Sequence, residues 1–76
     1  MNVNKLIRMA NQIAANFDYG GDTAKEVAGV VDHLRRFWTP GMRAEIVEYR
    51  RRGGTELNEL AAGAVAQLAA EKNDAA

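Results

Sequence analysis

Apolar residues recur along the chain at three- and four-residue steps, in four blocks separated by polar or glycine-bearing breaks. In the first block Leu6, Ala10, Ile13, Ala14 and Phe17 fall on one helical face. Asn2 or Asn4 can cap its start. Asp18-Tyr19-Gly20-Gly21 stops it, because adjacent glycines weaken a helix interior and are natural just after one. The second block opens with Thr23 followed by Glu26, the spacing of a capping box. Val27, Val30, Val31, Leu34 and Trp38 then share a face, and valine's modest helix propensity means that tertiary packing must help hold them there. Pro40 disfavours helical geometry at Thr39, so this helix ends near Phe37.

Thr39-Pro40 also starts the third helix, with threonine as N-cap and proline at the first helical position. It is expected to run to about Arg52, with Met42, Ile46 and Tyr49 as its buried stripe and Val47 beside it. Arg50, Arg51 and Arg52 complement the dipole of the last turn, and Gly53-Gly54 ends it. The fourth helix begins at or near Thr55, with Glu56 and Glu59 at its positive end. Leu57, Leu60, Ala61, Ala64, Val65 and Leu68 form its stripe, and residues 71–76, polar and small, should fray. No strand alternation of useful length and no internal repeat is present. The expected fold is all-α: a small bundle of about four short helices in one domain over residues 1–76, ordered over about 4–70. Its expected core is Leu6, Ile13, Phe17, Val27, Val30, Val31, Leu34, Ile46, Leu57, Leu60 and Leu68.

Composition narrows the chemistry. A chain of 76 residues hides only about 60% of the surface its unfolded form exposes. Ten basic and ten acidic side chains cancel, which disfavours generic phosphate-backbone binding and protects poorly against self-association. There is no cysteine and one histidine, so disulfides, thiolate metal sites and imidazole clusters are excluded. No apolar stretch approaches the roughly 18–20 residues that span a bilayer, and the opening residues run into an amphipathic pattern rather than a signal-peptide core. The compositional default is a cytosolic helical module.

The residues that might carry chemistry mostly have plain structural readings. His33 lies beside the valine stripe with no nucleophile or orienting partner, and neighbouring Asp32 does not face it on a helix. The glycine pairs lack the pattern of a phosphate loop. No catalytic, cofactor-binding or metal residue is expected. Arg35, Arg36, Arg50, Arg51 and Arg52 suit helix ends, and are also the feature that would serve an acidic partner or a helix–turn–helix reader of DNA. Glu45 and Glu48 interrupt the basic run and argue against the second use. Phe37-Trp38-Thr39-Pro40 places two large aromatics at a helix corner; one belongs in the core, and the other can anchor a partner.

The chain resembles a known family at this point. Lys5-Leu6-Ile7-Arg8-Met9-Ala10-Asn11-Gln12-Ile13-Ala14 looks like the opening of the delta subunit of cytoplasmic, NAD-dependent formate dehydrogenases that contain molybdenum or tungsten. Val27, Val30 and Val31, then Asp32-His33-Leu34, then Phe37-Trp38-Thr39-Pro40-Gly41-Met42-Arg43, then Gly53-Gly54 with Leu57 and Leu60 follow in the family's order over residues 4–68. Two positions depart from it: Gly41, where a basic residue is common, and Asn58-Glu59, where a proline is common.

The resemblance implies a cytoplasmic, non-catalytic accessory subunit with no cofactor of its own. It would dock on the molybdopterin-type catalytic subunit and support its assembly, stability or cofactor insertion. Formate oxidation would belong to the larger subunits. Arg8, Asn11, Gln12, Trp38, Pro40, Met42 and Arg43 are the expected partner contacts, some of them internal. No small-molecule substrate, nucleic acid or membrane is expected as a partner, and the isolated chain could self-associate. A small nucleic-acid-binding or regulatory helical protein is the alternative.

Overall fold

The computed structural model describes residues 2–75, with side chains as far as Glu71. Four helices follow one another: α1 (Val3–Asn16), α2 (Thr23–Phe37), α3 (Pro40–Arg51) and α4 (Glu59–Ala75). The class is all-α, as the apolar spacing implied, and no strand occurs among the described residues.

Local signals set most of the boundaries. The Asn2 side chain accepts from the Asn4 amide at 2.8 Å and caps α1. Thr39 Oγ1 accepts from the Met42 amide at 3.2 Å, and Pro40 occupies the first turn of α3. At the other end of α3 the Gly54 amide donates to the Tyr49 carbonyl at 3.1 Å and the Gly53 amide to the Arg50 carbonyl at 3.0 Å. These paired bonds make a Schellman motif, which needs a left-handed residue after the cap; Gly53 supplies it with φ +88°.

Helix α4 packs against each of the other three, most extensively against α2. Its small residues permit this. Ala61 and Ala64 are fully buried, and a Cβ at Gly63 would stand only 3.2 Å from Val27 Cγ2. Around α4 and its Val65 close Leu6, Val30, Leu34 and Ile46 from the other three helices, all five fully buried. Of the expected core, Val31, Leu60 and Leu68 are also buried, while Ile13, Phe17, Val27 and Leu57 are partly buried and pack on its outside. Ile7 joins the core beside Leu6. Truncating a leucine in such a core costs about 2–5 kcal/mol, comparable to the ~3–5 kcal/mol that a single core of this size supplies.

Two expected details differ. The capping box does not form: the cap of α2 is Asp22, whose Oδ1 accepts from the Ala24 amide at 2.9 Å. That shift places Glu26 in the fourth helical position, and its carboxylate turns back to the loop between α1 and α2. There Oε2 accepts from the amides of Tyr19 at 2.9 Å and Gly21 at 3.1 Å, and the residue is buried. A buried carboxylate is tolerable because it satisfies backbone donors that would otherwise be stranded. The second difference is the start of α4. Residues 54–58 are non-helical, and Asn58 caps the helix by accepting from the Ala61 amide at 2.9 Å. The early stretch is held as a loop by α1, since Asn11 Nδ2 donates to the Glu56 carbonyl at 2.8 Å. Of the tail expected to fray, 71–76, the backbone continues α4 to Ala75, while the side chains from 72 onward and Ala76 lie outside the described residues.

Candidate partner-docking surface

The α2–α3 corner decides the fate of its two aromatics. Trp38 follows the last turn of α2 in an extended conformation (φ −94°, ψ 143°) and is only 5% exposed. Phe37, one residue earlier, stays on the helix surface and is 70% exposed. Its ring lies 4.7 Å from that of His33, one turn back along α2. His33 in turn stands edge-on to Phe17 at 6.5 Å, and Phe17 to Tyr19 at 6.3 Å. An aromatic path therefore runs over α2 from the corner to the α1–α2 loop, where Tyr19 is 75% exposed.

Beside Phe37 an open groove of about 620 Å³ separates α1 from the α2–α3 corner. Met9, Ile13, Phe37, Trp38 and Met42 form its apolar surface, with Lys5, Arg8, Gln12 and His33 completing it. No carboxylate lines it. Lys5 and Arg8 are exposed on α1, and neither has an ion-pair partner among the described residues.

The residues expected to contact a partner divide. Arg8, Gln12, Trp38 and Met42 meet in this groove, although Trp38 reaches it as a core residue. Asn11 lies on another side of α1, clasping the loop before α4. Pro40 and Arg43 line a different cleft of about 480 Å³, with Arg35, Val47, Leu68 and Glu71. Arg43 caps α2: its Nη1 donates to the carbonyls of Arg35 at 2.9 Å and Trp38 at 3.1 Å. Arg43, one of the expected contacts, thus serves this chain's own helix end. Lys5, Met9, Ile13, His33 and Phe37 are the groove residues not among the expected contacts, Ile13 having been expected in the core. The signal for Phe37 was present: Val30, Val31 and Leu34 set the buried stripe, and Phe37 falls beside His33 at its margin.

The remaining charges are mostly committed internally. Arg35 pairs with Glu71 across α2 and α4, and this hydrogen bond raises the already high pKa of the guanidinium. Arg36 pairs with Asp32 at 3.1 Å. Glu48 receives Arg51 at 2.9 Å and Arg52 at 3.0 Å. The Arg51 hydrogen bond, helped by Arg52, holds the Glu48 carboxyl below its ordinary range. Among the described residues no group of three or more His, Asp or Glu side chains could hold a metal ion, and no helix is long and apolar enough to cross a membrane.

Comparison with curated proteins and with solved structures finds no match. A family profile does match, over residues 5–65, a span that takes in every residue of the groove. The chain therefore belongs to the FdsD family, the delta subunit of NADH-dependent formate dehydrogenase.

Proposed function

We propose that this chain is the non-catalytic accessory subunit of a cytoplasmic NAD-dependent formate dehydrogenase, and that it docks on the molybdopterin-type catalytic subunit to support its assembly, stability or cofactor insertion. Family membership over residues 5–65 carries the reading. The groove supports it from geometry: a 70%-exposed Phe37 at the edge of an apolar surface is the kind of anchor that interfaces use. Of the expected contacts, Arg8, Gln12, the edge of Trp38 and Met42 share the groove and would meet a partner together, while Asn11, Pro40 and Arg43 would contribute from other faces.

The nucleic-acid alternative loses four of its five motivating residues. Of the five arginines behind it, Arg35, Arg36, Arg51 and Arg52 are paired with this chain's own carboxylates. Co-expression with the large subunits and affinity purification through a tag on the catalytic subunit tests the proposal. The delta chain should co-elute, and omitting it should lower the yield or metal content of the purified catalytic subunit. A chain that never co-elutes, or that binds duplex DNA with a steep salt dependence instead, would sink it.

A further inference from the structure

We infer that the groove between α1 and the α2–α3 corner receives an amphipathic helix of the larger subunits, apolar toward Met9, Phe37 and Met42 and acidic where it passes Lys5 and Arg8. The inference rests on the accessory-subunit reading and adds the surface and the chemistry of what covers it.

Charge carries the argument. The chain balances ten cations against ten anions, yet this groove holds Lys5 and Arg8 and no carboxylate. Of the arginines at the ends of α2 and α3, Arg35, Arg36, Arg51 and Arg52 face acids of the same chain, and Arg50 alone has no ion-pair partner among the described residues. Two exposed cations beside an apolar floor are complementary to carboxylates flanking an apolar stripe, which steers association and fixes orientation. The floor then selects among acidic partners. Two methionines, whose flexible thioethers adapt to irregular surfaces, and an exposed phenylalanine match aliphatic or aromatic side chains. They do not match a phosphate backbone.

The shape argues for a helix. An open apolar groove bordered by helices suits the apolar face of an amphipathic helix, whose side chains repeat at three, four and seven residues. The path through His33 and Phe17 to Tyr19 extends the contact surface beyond the groove.

The test uses the co-expressed complex with a photoreactive benzoylphenylalanine in place of Phe37, and separately in place of Arg50, which is exposed at the far end of α3. Mass spectrometry of the crosslinked peptides should join position 37 to a segment of a larger subunit that carries Asp or Glu beside an apolar stripe at helical spacing. In parallel, Phe37→Asp and the pair Lys5→Glu with Arg8→Glu should each weaken retention by the large subunits at least tenfold, with Phe37→Leu close to the original. All three positions are exposed, so the variants should keep the helical circular dichroism and melting of the original. Crosslinks from position 37 to a second copy of this chain, or to a basic segment, would overturn the inference. So would unchanged retention of the charge-reversed chain while the original co-elutes, an outcome that leaves the accessory-subunit reading standing. Failure of the original chain to co-elute removes both.

Discussion

Asn11 and Asn58, distant in sequence, hold each other: the Asn58 amide donates to Asn11 Oδ1 at 2.7 Å, and Asn58 Nδ2 donates to the Asn11 carbonyl at 3.3 Å. Asn11 Nδ2 simultaneously donates to the Glu56 carbonyl. One side chain of α1 thus fixes where the fourth helix can begin. Asn58 supplies both the clasp and the cap. Asn11→Ala should lower the free energy of unfolding by about 1–2 kcal/mol, the sum of modest net hydrogen bonds, as read from urea midpoints at unchanged slope. An unchanged midpoint would mean that the clasp does not hold in solution.

Arg43 should prove structural as well as superficial. Its guanidinium satisfies two carbonyls at the end of α2, a role that a cation near a helix C-terminus performs well. Arg43→Ala is expected to cost about 1 kcal/mol, more than the ~0.5 kcal/mol typical of an ordinary surface change. Amide exchange at the end of α2 should quicken before exchange elsewhere. Equal exchange across the molecule would show that the cap is redundant.

The two glycine pairs should respond differently to alanine. A Cβ at Gly54 would stand 2.3 Å from the Tyr49 ring, whereas one at Gly21 meets nothing within 4 Å. Tyr49 cannot move freely, because its hydroxyl accepts from the Glu56 amide at 2.9 Å. Gly54→Ala should therefore destabilise by about 1–3 kcal/mol, as overpacking does, and Gly21→Ala should be close to neutral. Thermal melts of the two variants side by side check the contrast; equal melting temperatures would contradict the placement of Tyr49 over Gly54.

Acid sensitivity should include a contribution from Glu48. Its carboxyl is held below its ordinary range by Arg51 first and Arg52 second. A folded-state value below the unfolded one means that the ion pairs stabilise above the unfolded carboxylate range and cease to do so as pH falls through the folded value. The stability gap between the original chain and Glu48→Gln should be constant at neutral pH and shrink as pH is taken below about 4.3. The pairs are exposed, so the gap should also narrow in high salt. A gap that persists unchanged at low pH would assign Glu48 another role.

The sequence by itself determined the helices, because helix starts and stops are written in residues that act on their own backbone. Asn2, Thr39-Pro40 and Gly53-Gly54 set ends that need no distant partner. The stripes through Leu6, Val30, Leu34, Ile46 and Leu60 likewise followed from helical spacing, since burial of one face is a local consequence of the 3.6-residue repeat. Whatever depended on a neighbouring helix was decided only in three dimensions. Glu26 had a plausible cap to join, yet its carboxylate went to the loop amides of Tyr19 and Gly21 because Asp22 had taken the cap. Thr55 had the makings of a helix start, yet Asn11 held the following residues open. Sequence reasoning put Trp38 both on the apolar face of α2 and among the partner contacts, with one of the two corner aromatics in the core and the other free to anchor a partner. The turn between α2 and α3 sent the indole inward and left the phenyl ring at the rim of the groove, a choice set by backbone direction rather than residue type.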